Sequence, residues 1–273
     1  EFSNLKIRFY KNNGIILESN KTITAITKAS PGVITSNSHG YSNGDEVYIS
    51  GIVGMTELNG KTFLVVKIDA NTFSLTDKDG VAINTTNFTT YSSGGIANRV
   101  YEIATPYTTA ELFDIKFAQS ADVMYITHPS HEVEKLSRTG HTAWTLTNVD
   151  FGNGPFMDHN VETTTANPSH KTVGSTTTVT FSAVTGINNG AGFLSTDVGR
   201  LVHIKDGHFK ITSITSTTIV VGTVIIDLGI SSSTTTDFAL GSFSNTSGFP
   251  SCVTFFEQRL VFAGTIAQPQ TIF

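Results

Sequence analysis

The sequence predicts an all-β protein, and three observations carry that prediction. Thr, Ser, Asn and Gly crowd a 273-residue chain in which only 14% of residues are charged, while Val, Ile, Phe and Tyr supply most of the apolar content. β-branched and aromatic side chains pack well on a pleated surface, and Gly and Asn provide the positive φ of tight turns. Apolar and polar residues alternate over short runs along much of the chain, which is the period of a strand. The best helical candidate, "TPYTTAELFDI", offers Thr109 as a cap before Ala110 to Phe113 and then passes into the alternation Phe113, Ile115, Phe117.

Taken in order, Leu5, Ile7 and Phe9 alternate as in a half-buried strand, and Asn13-Gly14 is expected to turn it into a second strand through Ile15 and Leu17. Residues 1–18 therefore read as a hairpin. Residues 19–98 form a strand-rich unit closed by the Gly and Ser cluster "YSSGGIAN". Within it Asn43-Gly44 and Asn59-Gly60 mark turns, Val47 with Ile49 and Phe73 with Leu75 alternate into a core, and Asp45 and Glu46 point to opposite faces. Residues 99–155 contain three strands, "DVMYITHP", "HEVEKLSR" and "HTAWTLTNV", with Pro129 and Thr139-Gly140 in the turns, and Gly152, Gly154 and Pro155 end the piece.

Residues 156–239 are a second strand-rich unit, "TTTVTFSAV", "RLVHIKDGHFKITSIT" and "TTIVVGTVII", with Asp206-Gly207 as its clearest hairpin turn. Residues 240–273 return to the aromatic character of the first and third pieces, and "CVTFFEQRLVFAGT" reads as two strands. The first, third and fifth pieces thus read as one interrupted platform carrying two inserted small β-barrel or β-sandwich modules. Both chain ends fall where a run of strands is under way, so the chain is expected to be a fragment.

Charge and composition narrow the chemistry. The 22 acids and 17 bases leave a net charge of −5, no excess of cations to release counterions from a phosphate backbone, so specific nucleic-acid binding is not expected. Cys252 is the sole cysteine, so no intrachain disulfide forms. No apolar run approaches the ~18 residues of a membrane span, and no basic region followed by an apolar stretch marks a signal peptide.

The stretch "AQSADVMYITHPSHEVEKLSRTGHTAW" concentrates histidines, carboxylates and serines. Ser120, His128 and Asp122 have the residue types of a nucleophile, base and orienting carboxylate, yet a strand places Asp122 roughly 20 Å from His128. His128 and His131 flank a turn with no third ligand in sequence reach, and His203 and His208 straddle the Asp206-Gly207 turn in the same condition. Trp144 is read as a buried anchor. No residue is therefore assigned as catalytic, cofactor-binding or metal-ligating, no cofactor is expected, and the chain is not expected to be an enzyme.

"FDIKFAQSADVMYITHPSHEVEKLSRTGHTAWTL" followed by "GPF" resembles a segment recurrent in tubular or nozzle proteins of short-tailed bacteriophages. "FSNLKIRFYKNNG" is similar to the hairpin that precedes it, and "GFPSCVTFFEQRLVFAGTIAQPQTIF" to the next blade, through Arg259, Leu260, Phe262, Gly264, Thr265, Pro269 and Gln270. The resemblance implies a propeller-like platform, a structural role in the virion tail as part of the DNA conduit, an adaptor ring as partner and self-association of the full-length parent into a ring. The alternative is contact with a host-surface glycan or receptor, with Tyr41, Tyr48 or Tyr91 stacking on sugar rings.

Residues 39–75 resemble a second family, the first catalytic cysteine half-domain of ubiquitin-activating enzymes, through His39-Gly40, Gly44-Asp45, Val47, Gly51, Gly54-Met55, Glu57-Leu58-Asn59-Gly60 and Phe73-Ser74-Leu75. That resemblance implies a small barrel, and the stretch contains no cysteine, so activation chemistry does not come with it. Asp197, Val198, Gly199 and Arg200 resemble an element of phage insertions in which a loop enters a strand.

Overall fold

The computed structural model describes all 273 residues and is all-β, with curled, half-barrel sheets; its only helical pieces are four single 3-10 turns. The candidate helix shrinks to one of these, Thr109–Glu111, because the alternation after it commits the chain to the strand Lys116–Ser120. Two compact units form, Glu1–Thr109 with Gly140–Trp144, and Ala110–Thr139 with Thr145–Phe273.

The first unit is dominated by a seven-stranded antiparallel sheet. Its spatial order is Lys21–Thr22, Ser93–Arg99, Glu46–Val53, Lys61–Lys67, Thr72–Thr76, Val33–Thr35 and Ala25–Ile26. The two edge strands are separated in sequence only by Ile23 and Thr24. Ile23 N–H donates to Gly95 O on one side, and Thr24 N–H donates to Thr35 O on the other, both at 2.9 Å. One short segment thus pairs in both directions and curls the sheet into a barrel, leaving few unpaired edge groups.

Val47, Ile49, Phe73 and Leu75 all face the core of this barrel, as the alternation predicts, beside Met55, Leu58 and Tyr41. Each such apolar side chain contributes about 1.5–3 kcal/mol on burial. Gly54 shows why its turn requires glycine: its φ is +94°, and an added Cβ would lie 2.1 Å from Thr90 O.

The chain enters and leaves the barrel side by side. Glu18 N–H donates to Arg99 O and Tyr101 N–H to Ile16 O, at 2.8 and 2.9 Å, flanking the Leu17–Val100 bridge. Beyond them Lys6–Arg8 pairs with Glu102–Ala104. The N-terminal turn sits one residue earlier than expected. Lys11 pairs with Gly14, and Asn12 and Asn13 take the left-handed backbone at φ 51° and 62°; asparagine tolerates that region well enough to displace glycine from the tip.

The second unit contains most of the antiparallel meander Lys116–Ser120, Val123–His128, His131–Gly140 and Ala143–Asn148. Pro129 lies in a turn as expected, but the last turn is His141-Thr142 rather than Thr139-Gly140, because the third strand runs on through Gly140.

A six-stranded sheet follows, ordered Ala166–Pro168, Thr176–Phe181, Ile219–Ile226, Gly207–Ser216, Leu201–Ile204 and Phe238–Leu240. It curls by the same device as the first. Thr235 exchanges two backbone bonds with Ala166, while Phe238–Leu240 pairs with Leu201–Ile204 at the other edge. Phe181, Phe193, Phe209 and Phe238 fill its core. Its hairpin also tips one residue early, at Lys205-Asp206, with Lys205 at φ 53° and Ile204 opposite Gly207.

Candidate functional site

The proposed triad types do not converge. Val123 pairs with Ser120 on one side and Ser137 on the other, whereas His128 pairs with His131 at the opposite end of the strand Val123–His128. Asp122 is engaged by Arg138 at 3.1 Å. A bulge between Ile126 and His128 lets three successive residues, Ile126, Thr127 and His128, be buried.

His128 and His131 do meet a third group, which sequence spacing missed. Glu111 comes from the 3-10 turn upstream, and His131 Nε2 donates to its Oε1 at 3.0 Å. The chemistry of that cluster is set by the tautomer of His128. Its Nδ1 accepts the Ser130 N–H at 3.1 Å, so in the neutral ring the proton sits on Nε2 and neither nitrogen offers a free lone pair. Burial, and secondarily the neighbouring His131, hold the His128 pKa below the ordinary imidazole value.

In the second barrel His203 and His208 are partners in register, as their spacing across the turn implies. The tip is not solvated at His208, which is 3% exposed and donates from Nε2 to Gly152 O at 2.5 Å. His203 instead faces His159 and Asp237, and His159 Nδ1 donates to Asp237 Oδ1 at 2.8 Å. These two groups were also missed, since 78 residues separate them.

The motif Asp197 to Arg200 builds a buried ionic staple. Arg200 Nη1 donates to Asp197 Oδ1 at 2.9 Å and to Asn188 Oδ1 at 2.7 Å, while its Nε donates to Gly241 O at 2.7 Å; both charged side chains are fully buried. The staple ties the loop carrying Asn188 and Asp197 to Gly241, beside the strand Leu201–Ile204.

Of the aromatics considered as sugar platforms, Tyr41 is 3% exposed and its hydroxyl donates to Ala97 O at 2.9 Å. Burial raises its pKa. Tyr91 packs against the same core and directs its hydroxyl to Gly94 O and Ile23 O, leaving Tyr48 half-buried at the rim. Trp144 is half-buried too, stacked on Phe9 with ring centroids 4.0 Å apart. A cavity of about 440 Å³ lies in the second unit and is walled by Phe151, Phe243 and Phe249 with Glu132, Asp150 and Lys210 among its polar groups.

Residues 29–101, most of the first barrel and its exit strand, match the family described as the ubiquitin-activating enzyme E1 FCCH domain. Ubiquitin-like modifier-activating enzyme 1 of Oryctolagus cuniculus is 39% identical over 82 residues, and that of Homo sapiens 38%. Each alignment covers 29% of this chain and 7% of the enzyme's length. Cys252, the sole cysteine, lies outside the matched residues. Among solved structures, a phage phi92 endosialidase aligns over 95% of this chain and 48% of its own, at 13% identity and a TM-score of 0.21.

Proposed function

We propose that the chain is a structural component of a short-tailed phage tail, of the nozzle or tubular type, in which a β platform carries two barrel modules. The observation that carries this reading is the insertion geometry of the first barrel. Ile16–Glu18 and Arg99–Tyr101 are bonded laterally, so the barrel adds no length to the path between the strands outside it. That is the arrangement expected of a decoration on a scaffold, and the platform segments outside it are those that resemble tail proteins. Both barrels also have aromatic or aliphatic cores of their own, as modules require.

The test is imaging of purified virions together with native mass spectrometry of the intact parent. A closed homo-oligomeric ring, a hexamer by resemblance, bound to an adaptor ring is the expected result. A parent that stays a soluble monomer and is missing from virions would defeat the assignment.

A second reading, recognition of a host-surface glycan or receptor, is favoured by the 440 Å³ cavity with its three phenylalanines, which is of ligand-binding size. A glycan array probed with the whole chain separates the two: a specific hit weakened by Phe243→Ser would establish binding there.

A further inference from the structure

We propose that His159, His203 and Asp237 form a three-ligand site for a divalent first-row transition metal of the zinc class, with the remaining coordination filled by water. Their donor atoms lie within 4.8 Å of one another, and two imidazoles with one carboxylate are a donor set that such ions take and that magnesium or calcium does not prefer.

The backbone holds the three residues in place. His203 is opposite Ala239 in the pairing of Leu201–Ile204 with Phe238–Leu240. Lys205 N–H donates to Asp237 O at 3.1 Å, and Asn160 N–H donates to Phe238 O at 2.8 Å. All three ligands are therefore fastened to one short stretch, 237–239, from both of its sides. Ala239, the residue opposite His203, is small and crowds neither ring with a long side chain of its own.

The His203 side chain is also uncommitted in the way a site needs. The His203 ring makes no hydrogen bond, and its Nδ1 is buried without a partner, a condition that calls for an explanation in a native fold. Phe156 packs on it at a centroid distance of 5.3 Å and gives the ring an apolar backing. Unlike His128, it has no backbone N–H occupying a lone pair.

His159 and Asp237 are 59% and 50% exposed in their side chains, so their 2.8 Å hydrogen bond can open by about half an ångström to the ~3.3 Å donor separation of a tetrahedral zinc site. Bound metal would pin the segment carrying His159 to the closing strand of the second barrel.

The test uses the whole chain, purified without a histidine tag and stripped with chelator. Calorimetry with zinc chloride should show one equivalent bound and a raised melting temperature, and cobalt(II) should give the visible absorption of a low-symmetry four- or five-coordinate site. His159→Gln and Asp237→Asn, both at exposed side chains that leave the fold intact by circular dichroism, should each weaken binding by about tenfold or more, while His131→Gln leaves it unchanged. No binding at millimolar zinc, binding that survives both variants, or binding lost in His131→Gln would overturn the assignment.

Discussion

Arg200 and Asp197 show how much a single buried charge can decide. Removing the guanidinium in Arg200→Ala leaves the Asp197 carboxylate fully buried with only Asn188 Nδ2 and the Leu194 N–H as donors. The expected loss is about 3–5 kcal/mol, read as a lowered urea midpoint of the full chain. At His128 the effect runs through pH. His131, Glu111 and Asp114 are the charged groups around it, and burial together with His131 outweighs the two carboxylates to depress its pKa. The unfolded chain then takes up a proton before the folded one, so the stability from this site is complete above the ordinary histidine value and is lost as pH falls through the folded value. The melting temperature should drop between pH 7 and pH 5, and His128→Gln should drop less over that window; an unchanged slope in the variant would locate the effect elsewhere.

At the scale of elements, the first barrel should fold alone. Expressed as residues 18–101, which keep the whole strand Ser93–Arg99 and the Arg99–Glu18 ion pair at 2.7 Å, it is expected to melt cooperatively, and Tyr41→Phe should lower its stability by about 1 kcal/mol through the lost bond to Ala97. A gradual, probe-dependent melt would refute independence. The core of this element was legible in the sequence because the strand period is local: Val47, Ile49, Phe73 and Leu75 can be read two residues at a time. Turn tips were legible only to within one residue, since Asn12-Asn13 and Asn13-Gly14 both satisfy a left-handed tip and cross-strand register decides between them. The three-residue clusters were not legible. Glu111 reaches His131 from another element, and His159 meets Asp237 only because both flank Phe238 in the curled sheet, which no spacing rule encodes.

For the whole molecule, assembly and folding should separate. Phe117 and Phe256 are 58% and 64% exposed, apolar surface that an assembling parent would cover. Changing either to Ser should alter the chain's own stability by no more than about 0.5 kcal/mol yet break the ring proposed for the parent, as read by native mass spectrometry; intact rings from both variants would place the contacts on other surfaces. The lateral bonding of Ile16–Glu18 to Arg99–Tyr101 further decides how the chain carries mechanical tension. A pull applied outside the barrel crosses from one strand to its neighbour through those few backbone bonds and never loads the barrel while they hold. Antiparallel strands drawn from their outer ends unzip, each bond breaking in turn, so the pairing of Lys6–Arg8 with Glu102–Ala104 yields first and this clamp next. Only then does the barrel bear force, and its rupture releases roughly 270 Å of extended chain, a shock absorber folded into the side of the load path.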